Sequence, residues 1–460
     1  MFDVAIVGAG IAGASLATAL GRRGVRVLVI ERDLRPPAHL FVGELLQPGG
    51  LASLRDLGLG ACVEGIDAQP VRGFAVLTEG DGQALSYPRR RGEHNVAGCS
   101  FHHARFVERL RDAAMAEPTV EVVEGTVVGL SEEGGFVSGL RWRDREGCER
   151  EARARLTVAA DGRASRMRRQ LANGQGVKRL SHSVGLLLRD GSLPFPEHGN
   201  VFLSRPAPML SYRIARDAVR VLVDVPGELP GTRDGRLAAY LLETVAPQIA
   251  ECMRGAFVDA VTSEPLRVMP NLSLVARPLR RPGSVLIGDA FNMRHPLTGS
   301  GMTVALNDAR LLVELLADHP FDSPAELERR IERYYVERKP LSVTVDVLSS
   351  ALYRIFCADD AGLESLRDAV LRYWRLGGVA VSGPMSLLSG LSPKPGLLLM
   401  HYLAVALTGV GHSLLPGRNR WGVPVVGGGE LRDASQLAIA AMRTMKPHVR
   451  RVLATAGVSA

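Results

Sequence analysis

Between Gly288 and Leu306 the chain reads GDAFNMRHPLTGSGMTVAL, an aspartate behind an apolar run and a glycine cluster ahead of a helical pattern. Ser284 to Ile287, behind Pro282 and Gly283, has the composition of a short buried strand. Met302, Ala305, Leu306, Ala309, Leu312 and Leu316 recur at helical spacing, so a helix is expected to start at Gly299, Ser300 and Gly301. Free N–H groups and the positive dipole end at that start favour an anion, and the missing side chains admit a flat ligand. Asp289, expected at the carboxyl end of the strand beside Gly288, is placed to accept hydrogen bonds from ligand hydroxyls. Taken alone, the same residues also fit a tight turn with a surface aspartate.

The N-terminus shifts that balance. Val4 to Val7 reads as a buried strand, Gly8-Ala9-Gly10-Ile11-Ala12-Gly13 as a turn, Ala14 to Leu20 as a helix, and Val25 to Ile30 as a second strand ending in Glu31. This is a dinucleotide fingerprint with its context intact: Gly8 for the tight turn, Gly10 for close pyrophosphate approach, Gly13 for helix–strand packing, and Glu31 for ribose hydroxyls. The fingerprint alone does not separate FAD from NAD.

The elements that must position these groups follow in order. An amphipathic helix over Val107 to Ala116 precedes an apolar stretch from Val120 to Val128, and Leu156 to Ala160 is a further buried strand ending in Asp161-Gly162. That DG pair reads either as a second cofactor turn or as an ordinary one. From Val184 to Glu264 short alternating runs predict antiparallel strands on the substrate side. Tyr212 lies there, and Tyr87 lies in an earlier excursion near 70–100; each is either a pocket wall or a core tyrosine with a satisfied hydroxyl. Beyond Pro320 the pattern is helical, and after Arg375 charge disappears except for Lys394 until Arg418. Leu397 to Leu415 is near the length of a membrane span, broken by glycines and two histidines, with Arg418, Arg420, Lys446, Arg450 and Arg451 as a basic flank. It predicts two short apolar helices with a Pro-Gly break, which either enter one leaflet or cover a soluble core.

The totals set bounds. At 460 residues, 46% hydrophobic and 23% charged, the chain predicts two or three packed regions rather than disorder. A net charge of +8 without a nucleic-acid motif, and with basic residues dispersed apart from Arg89 to Arg91 and Arg166 to Arg169, points to lipid or an acidic redox partner rather than nucleic acid. Cys62, Cys99, Cys148, Cys252 and Cys357 stand singly, so no metal site and no disulfide framework is expected, and a reducing cytoplasmic compartment fits. Phe2-Asp3 leads directly into a strand, so no leading signal or anchor is expected.

An early fingerprint, a central DG turn and a late GD turn resemble the two-domain FAD monooxygenases related to p-hydroxybenzoate hydroxylase. The resemblance implies an α/β fold with a Rossmann-type FAD-binding domain in two parts, 1–183 and 265–340. An antiparallel substrate sheet at 184–264 and a helical, membrane-associated region at 341–460 complete it. It also implies that Gly8, Gly10 and Glu31 hold the ADP half, with Asp289 on the ribityl chain. More specifically, Gly288 to Leu306 and Val42-Gly43-Glu44-Leu45-Leu46-Gln47-Pro48-Gly49-Gly50 resemble the squalene epoxidase signatures. Asp56 to Gly60, Phe101-His102-His103, Ala113 to Pro118, Leu376-Gly377-Gly378 and Leu391-Ser392-Pro393 match in the same order, so the likeness spans about positions 3 to 410. It implies FAD contacts at Ile11, Ala12, Glu31, Arg32, Arg105, Val127, Asp289 and Met302, within turns that include Gly13, Asp161, Gly288, Pro296, Gly299 and Gly301. It implies that Gln47 and Tyr87 organise the pocket between flavin and substrate, and that Tyr212 lines the cavity for the alkene. The chain departs from the eukaryotic pattern at Ser300, where those members have glycine, and at Leu40, near an FAD-binding arginine that Arg35 or His39 would have to replace. By this resemblance the leading membrane anchor of the eukaryotic members is expected to be lacking here, as in a bacterial-type member.

The implied activity is epoxidation of squalene to (S)-2,3-oxidosqualene with O2 through a flavin C4a-hydroperoxide, in sterol or triterpenoid biosynthesis. An isolated alkene has no acidic proton, so no acid–base triad is required, and none stands at convincing spacing. Arg294 and His295 either tune the flavin or cap the turn. No second nucleotide fingerprint follows residue 31, so electrons from NADPH are expected through a separate reductase, of cytochrome P450 reductase type or a ferredoxin system. The expected location is the cytoplasmic face of a membrane. The alternatives are a flavin hydroxylase or reductase for another isoprenoid or aromatic, and a non-catalytic flavoprotein at the membrane.

Overall fold

The computed structural model describes residues 1–35, 41, 43–78, 81–88, 96–171, 176–279, 281–318, 321–414, 417–418, 424–425 and 428–455. His39, Leu40, Val42, Arg89 to Arg91, Leu415 and Arg420 lie outside the described residues.

The first sheet is built on apolar strands buried on both faces, which is why Val4, Ile6, Val27, Val29 and Val158 are fully enclosed. Val120–Glu124, Val27–Glu31, Phe2–Val7, the end of Glu149–Ala159 and Ser284–Leu286 run parallel in that order. Glu149–Ala159 has two roles. Its last residues pair with Phe2–Val7 on one side and Ser284–Leu286 on the other, while its first half joins Phe136–Arg143 and Thr126–Glu133 in an antiparallel extension. The expected stretch from Val120 to Val128 is therefore two strands, broken at Gly125. The register sets Val7, Ala159 and Leu286 side by side, so the turns that follow all open at one sheet edge. Ligands of open α/β sheets bind at that edge.

The second sheet runs Arg267–Ser273, Lys178–Arg189, Ala218–Pro226, Met209–Ala215, Gly199–Phe202, Gly73–Thr78 and Asp81–Ser86. It is antiparallel except where Gly199–Phe202 meets Gly73–Thr78. Of the excursion near 70–100, Gly73–Thr78 and Asp81–Ser86 thus join the substrate-side sheet, while Gly98–Ser100 pairs with Leu45–Leu46 and Gln69–Val71 in a small separate sheet. Between 236 and 263 the chain is helical rather than extended: Leu237, Leu241, Met253 and Phe257 pack at helical spacing onto Val184, Leu186 and Val223 of the outer face.

The last third is helical: Pro324–Glu337, Lys339–Phe356, Ala361–Arg375, Val379–Leu388, Pro395–Ser413 and Gly428–Thr455. Pro395 starts a single uninterrupted helix, since proline is tolerated at a first turn, so the expected break falls before it. Gly49 allows helix Pro48–Asp56 to lie against this region, since a Cβ there would sit 2.7 Å from Ser389 O, and Gly50 lets the same helix approach Gly301–Leu316, where a Cβ would sit 2.8 Å from Thr303 Oγ1.

Candidate active site

Three turns converge at the sheet edge. Gly8 has φ +98°, and a Cβ there would meet Ala160 O at 2.8 Å, so the first turn rests on the end of Glu149–Ala159. A Cβ at Gly13 would sit 2.0 Å from Gly8 O, whereas one at Gly10 meets nothing within 4 Å. The opening of helix Ile11–Gly21 is therefore closed behind and clear in front. Glu31 braces this turn, accepting from Ala9 N at 2.7 Å and Asp33 N at 3.1 Å. Arg111 is buried behind it and donates to Ala9 O, Asp33 O and Leu34 O, with Glu31 3.5 Å away. Burial lowers the Arg111 pKa and Glu31 opposes that shift.

The late turn has a buried support. Gly288, at φ +58°, donates its N–H to Asp308 Oδ2 at 3.0 Å. Arg338 clamps Asp308 through Nε at 2.9 Å and Nη2 at 3.1 Å and lies over the Phe291 ring at 4.7 Å. Asp289 faces the cavity, and its carboxylate accepts no hydrogen bond among the described residues. Enclosure by protein raises the Asp289 pKa; Arg294, Arg163 and Arg168 work against that. Further on, Gly299 is left-handed at φ +58°, 2.8 Å from Leu45 Cδ2 by its absent Cβ. Helix Gly301–Leu316 then begins without a side-chain cap at Ser300, whose hydroxyl is 3.0 Å from Thr298 Oγ1 instead. Its first N–H groups remain for a ligand.

These turns and the second sheet enclose a cavity of about 350 Å³. Gly10, Ile11, Ala12, Gly288, Asp289, Pro296, Gly299, Gly301 and Met302 line one side, and Leu210, Tyr212, Leu222 and Met269 the other. A buried ion pair fixes the sheet to the loop before Leu45–Leu46: Arg220 Nε and Nη2 contact the Glu44 carboxylate at 2.7 and 2.9 Å. Burial raises the Glu44 pKa, with Arg220 drawing it back, and Tyr212 beside them is held fully protonated by burial. His103 Nδ1 lies 3.1 Å from Gly43 O, and burial lowers its pKa, favouring the neutral ring.

His295 is held by a second buried network. Its Nδ1 accepts from Leu297 N at 3.2 Å, which leaves Nε2 to carry the proton toward Asp224 Oδ1 at 3.1 Å. Asp224 also accepts from Ser181, Asn271 and Tyr353, and the Tyr353 ring stacks on His295 at 3.9 Å. His295 thus both caps the turn and lines the cavity. Arg294 pairs with Asp346 at 2.7 Å.

Behind the 296–299 turn lies a second, almost wholly apolar cavity of about 100 Å³, lined by Leu297, Phe74, Leu85, Val347, Trp374 and Leu398 among others. Gln47 stands at the turn, donating from Nε2 to Thr298 O at 2.7 Å and accepting from the Tyr87 hydroxyl. Both side chains are buried, and neither lines the larger cavity.

A squalene epoxidase family model matches residues 153–422, and an FAD dependent oxidoreductase model matches residues 3–55. Squalene epoxidase 3 of Arabidopsis thaliana is 48% identical over 420 residues, 90% of this chain and 79% of that protein. Squalene monooxygenase of Mus musculus is 42% identical over 410 residues, 88% of this chain and 71% of that one. The chain belongs to the squalene epoxidase family. Among solved structures, PqsL of P. aeruginosa in complex with 2-aminobenzoylacetate superposes with TM-score 0.65 at 25% identity, covering 76% of this chain and 95% of that one. The flavin-dependent brominase Bmp2, at 18% identity and TM-score 0.65 over 88% of this chain and 98% of that one, shares the fold.

The cavity of this squalene epoxidase family member fits a flavin dinucleotide: an open helix start at Gly10, an unpartnered carboxylate at Asp289 and an uncapped helix at Gly301. Other expected contacts stand elsewhere. Asp161 is committed to helix Arg166–Leu171, accepting from Ser165 Oγ and from the N–H groups of Arg166 and Met167, while Gly162 and Arg163 line the cavity in its place. Arg32 is exposed beside Glu31. Arg105 is exposed and reaches Ile66 O at 3.4 Å, and Val127 is buried in Thr126–Glu133; neither lines the cavity. Glu44, Arg111, Asp224, Asp308, Arg220 and Arg338 carry no role legible in the sequence, because their partners are too distant along the chain for a local signal.

Proposed function

We propose that this chain is an FAD-dependent squalene monooxygenase that epoxidises squalene to (S)-2,3-oxidosqualene with O2, a step toward sterols or triterpenoids. One observation carries the reading: a single cavity has a nucleotide-accepting side at Gly10, Asp289 and Gly301 and an apolar side at Leu210, Tyr212, Leu222 and Met269. Membership of the squalene epoxidase family supplies the substrate class.

Reduced FAD with O2 supplies an electrophilic oxygen to the alkene. The chain's own groups bind, orient and exclude water. Asp289 is available to the ribityl hydroxyls, and the start of Gly301–Leu316 offers N–H groups to negative charge on the ring. Leu210, Leu222, Met269 and the Tyr212 ring shield the reacting double bond from water. The apolar cavity behind Leu297 suits the remainder of a long polyene. Gln47 and Tyr87 act as positioning residues, because together they hold the 296–299 turn between the two cavities.

Electrons are taken to come from NADPH through a separate reductase, of cytochrome P450 reductase type or a ferredoxin system, and the lack of a second nucleotide fingerprint supports this. Docking on the cytoplasmic face of a membrane is supported by helix Pro395–Ser413, which is long and apolar enough to cross one. Met400, Leu403 and Leu407 form an exposed stripe on it, at 68%, 58% and 63% exposure, and Leu376, Val379 and Met442, on or at the ends of helices packed against it, are exposed as well. The test is product analysis after incubating flavin-loaded protein with squalene, O2, NADPH and a reductase. Oxidosqualene is the expected product; its absence from a competent mixture overturns the assignment.

A further inference from the structure

Arg163 is the cavity's unexplained cation. Its side chain lines the cavity one residue beyond Gly162, and Nη1 is buried without a hydrogen-bond partner. Asp289 attracts it electrostatically, yet the two form no ion pair among those of the described residues. A guanidinium nitrogen left bare inside protein is costly, and because it carries positive charge an anion is the acceptor that relieves that cost best.

The sheet register says where that anion lies. Val7 pairs with Ala159 and Ala159 with Leu286, so the turn bearing Arg163 emerges between the turn bearing Gly10 and the turn bearing Asp289. The first two turns touch, since a Cβ on Gly8 would meet Ala160 O and Asp161 Cα at 2.8 and 3.1 Å. Arg163 therefore stands beside the unobstructed start of helix Ile11–Gly21, where N–H groups also favour an anion. The helix start suited to the flavin ring, at Gly301, belongs to the other side of Asp289.

We propose that Arg163 is a cofactor-binding residue whose guanidinium pairs with the diphosphate of the flavin dinucleotide, completing the cradle begun at Gly10. Its planar fork matches phosphate oxygens. This rests on the FAD reading above.

The test compares holoprotein of the parent chain with Arg163→Gln and Arg163→Lys. Arg163→Gln weakens FAD binding 10- to 100-fold, measured by flavin fluorescence released on dilution, and makes binding less sensitive to salt. Riboflavin, which lacks phosphates, binds both proteins equally, the midpoint potential of bound flavin is unchanged, and Arg163→Lys retains part of the affinity. Flavin-stripped Arg163→Gln melts no lower than stripped parent protein, because the bare cation is gone. A shifted potential with intact FAD affinity would place the cation on the ring and overturn the proposal, as would equal losses for FAD and riboflavin or no change in either. Parent protein that holds no FAD overturns the cofactor reading itself, an outcome visible before any variant is made.

Discussion

Gly10→Ala and Gly13→Ala remove the same kind of residue from one turn, yet the structure assigns them opposite failures. At Gly10 the backbone is extended (φ −77°, ψ −169°), a conformation open to alanine, and the new methyl meets nothing within 4 Å. Loss of a glycine helix cap and the lower entropy of the unfolded alanine chain nearly cancel, so stability should move by less than about 0.5 kcal/mol. The methyl instead takes space on the cavity wall where the diphosphate must approach, and FAD binding should weaken by about 1.4–2.7 kcal/mol, or roughly 10- to 100-fold. At Gly13 the methyl falls 2.0 Å from Gly8 O and 3.3 Å from Ala160 Cβ. Helix or turn must shift by over about 1 Å, an overpacking cost of about 3 kcal/mol. At roughly 2–4 °C per kcal/mol for large domains, that is a fall in Tm of about 6–12 °C. Thermal melts of flavin-stripped protein and the flavin-to-protein ratio of the purified holoprotein read the two effects separately. Parent-like flavin content in Gly10→Ala, or a parent-like melt in Gly13→Ala, would refute the geometry of the turn.

Arg338→Met leaves the fully buried Asp308 carboxylate unpaired beneath Gly288, so stability should fall by about 3–5 kcal/mol, and adding Asp308→Asn should restore much of it in the same melt. Leu403→Glu with Leu407→Glu should abolish co-flotation with liposomes while leaving flavin content unchanged; unaltered flotation removes Pro395–Ser413 as the docking face. Burial lowers the His401 pKa, so the unfolded chain takes up this proton first as pH falls below about 6.5. That contribution is constant above the unfolded pKa and falls from there down to the folded value. His401→Gln should make the acid-side loss of urea stability shallower, and an unchanged or steeper profile would show that the histidine is not held neutral.

What the sequence reveals divides along physical lines. Short-range rules act within one turn, so Gly8, Gly10 and Gly13 with Glu31 disclosed the first nucleotide turn, and Gly288 to Gly301 disclosed the late one. Helical spacing likewise exposed Gly301–Leu316 and the C-terminal helices. Asp161 shows the limit: a DG pair after a strand serves a helix cap as readily as a cofactor, and its three hydrogen bonds from Ser165, Arg166 and Met167 have no signature in the sequence that would announce them. The helices across 236–263 were legible in principle: Leu237, Leu241, Val245, Ile249, Met253, Phe257 and Val261 recur every four residues, a helical period that the strand expectation for this region passes over. Glu44–Arg220 and Asp308–Arg338 could not be paired in advance, since strand order brings them together and no local pattern encodes it.

The most direct test of the account is a single turnover without any reductase. Flavin-loaded protein, photoreduced anaerobically with squalene present, is mixed with ¹⁸O₂ and the lipid analysed by mass spectrometry. The expected product is 2,3-oxidosqualene carrying one ¹⁸O, approaching one molecule per flavin, with little hydrogen peroxide. Reoxidation of the flavin that yields peroxide and leaves squalene unlabelled would contradict it.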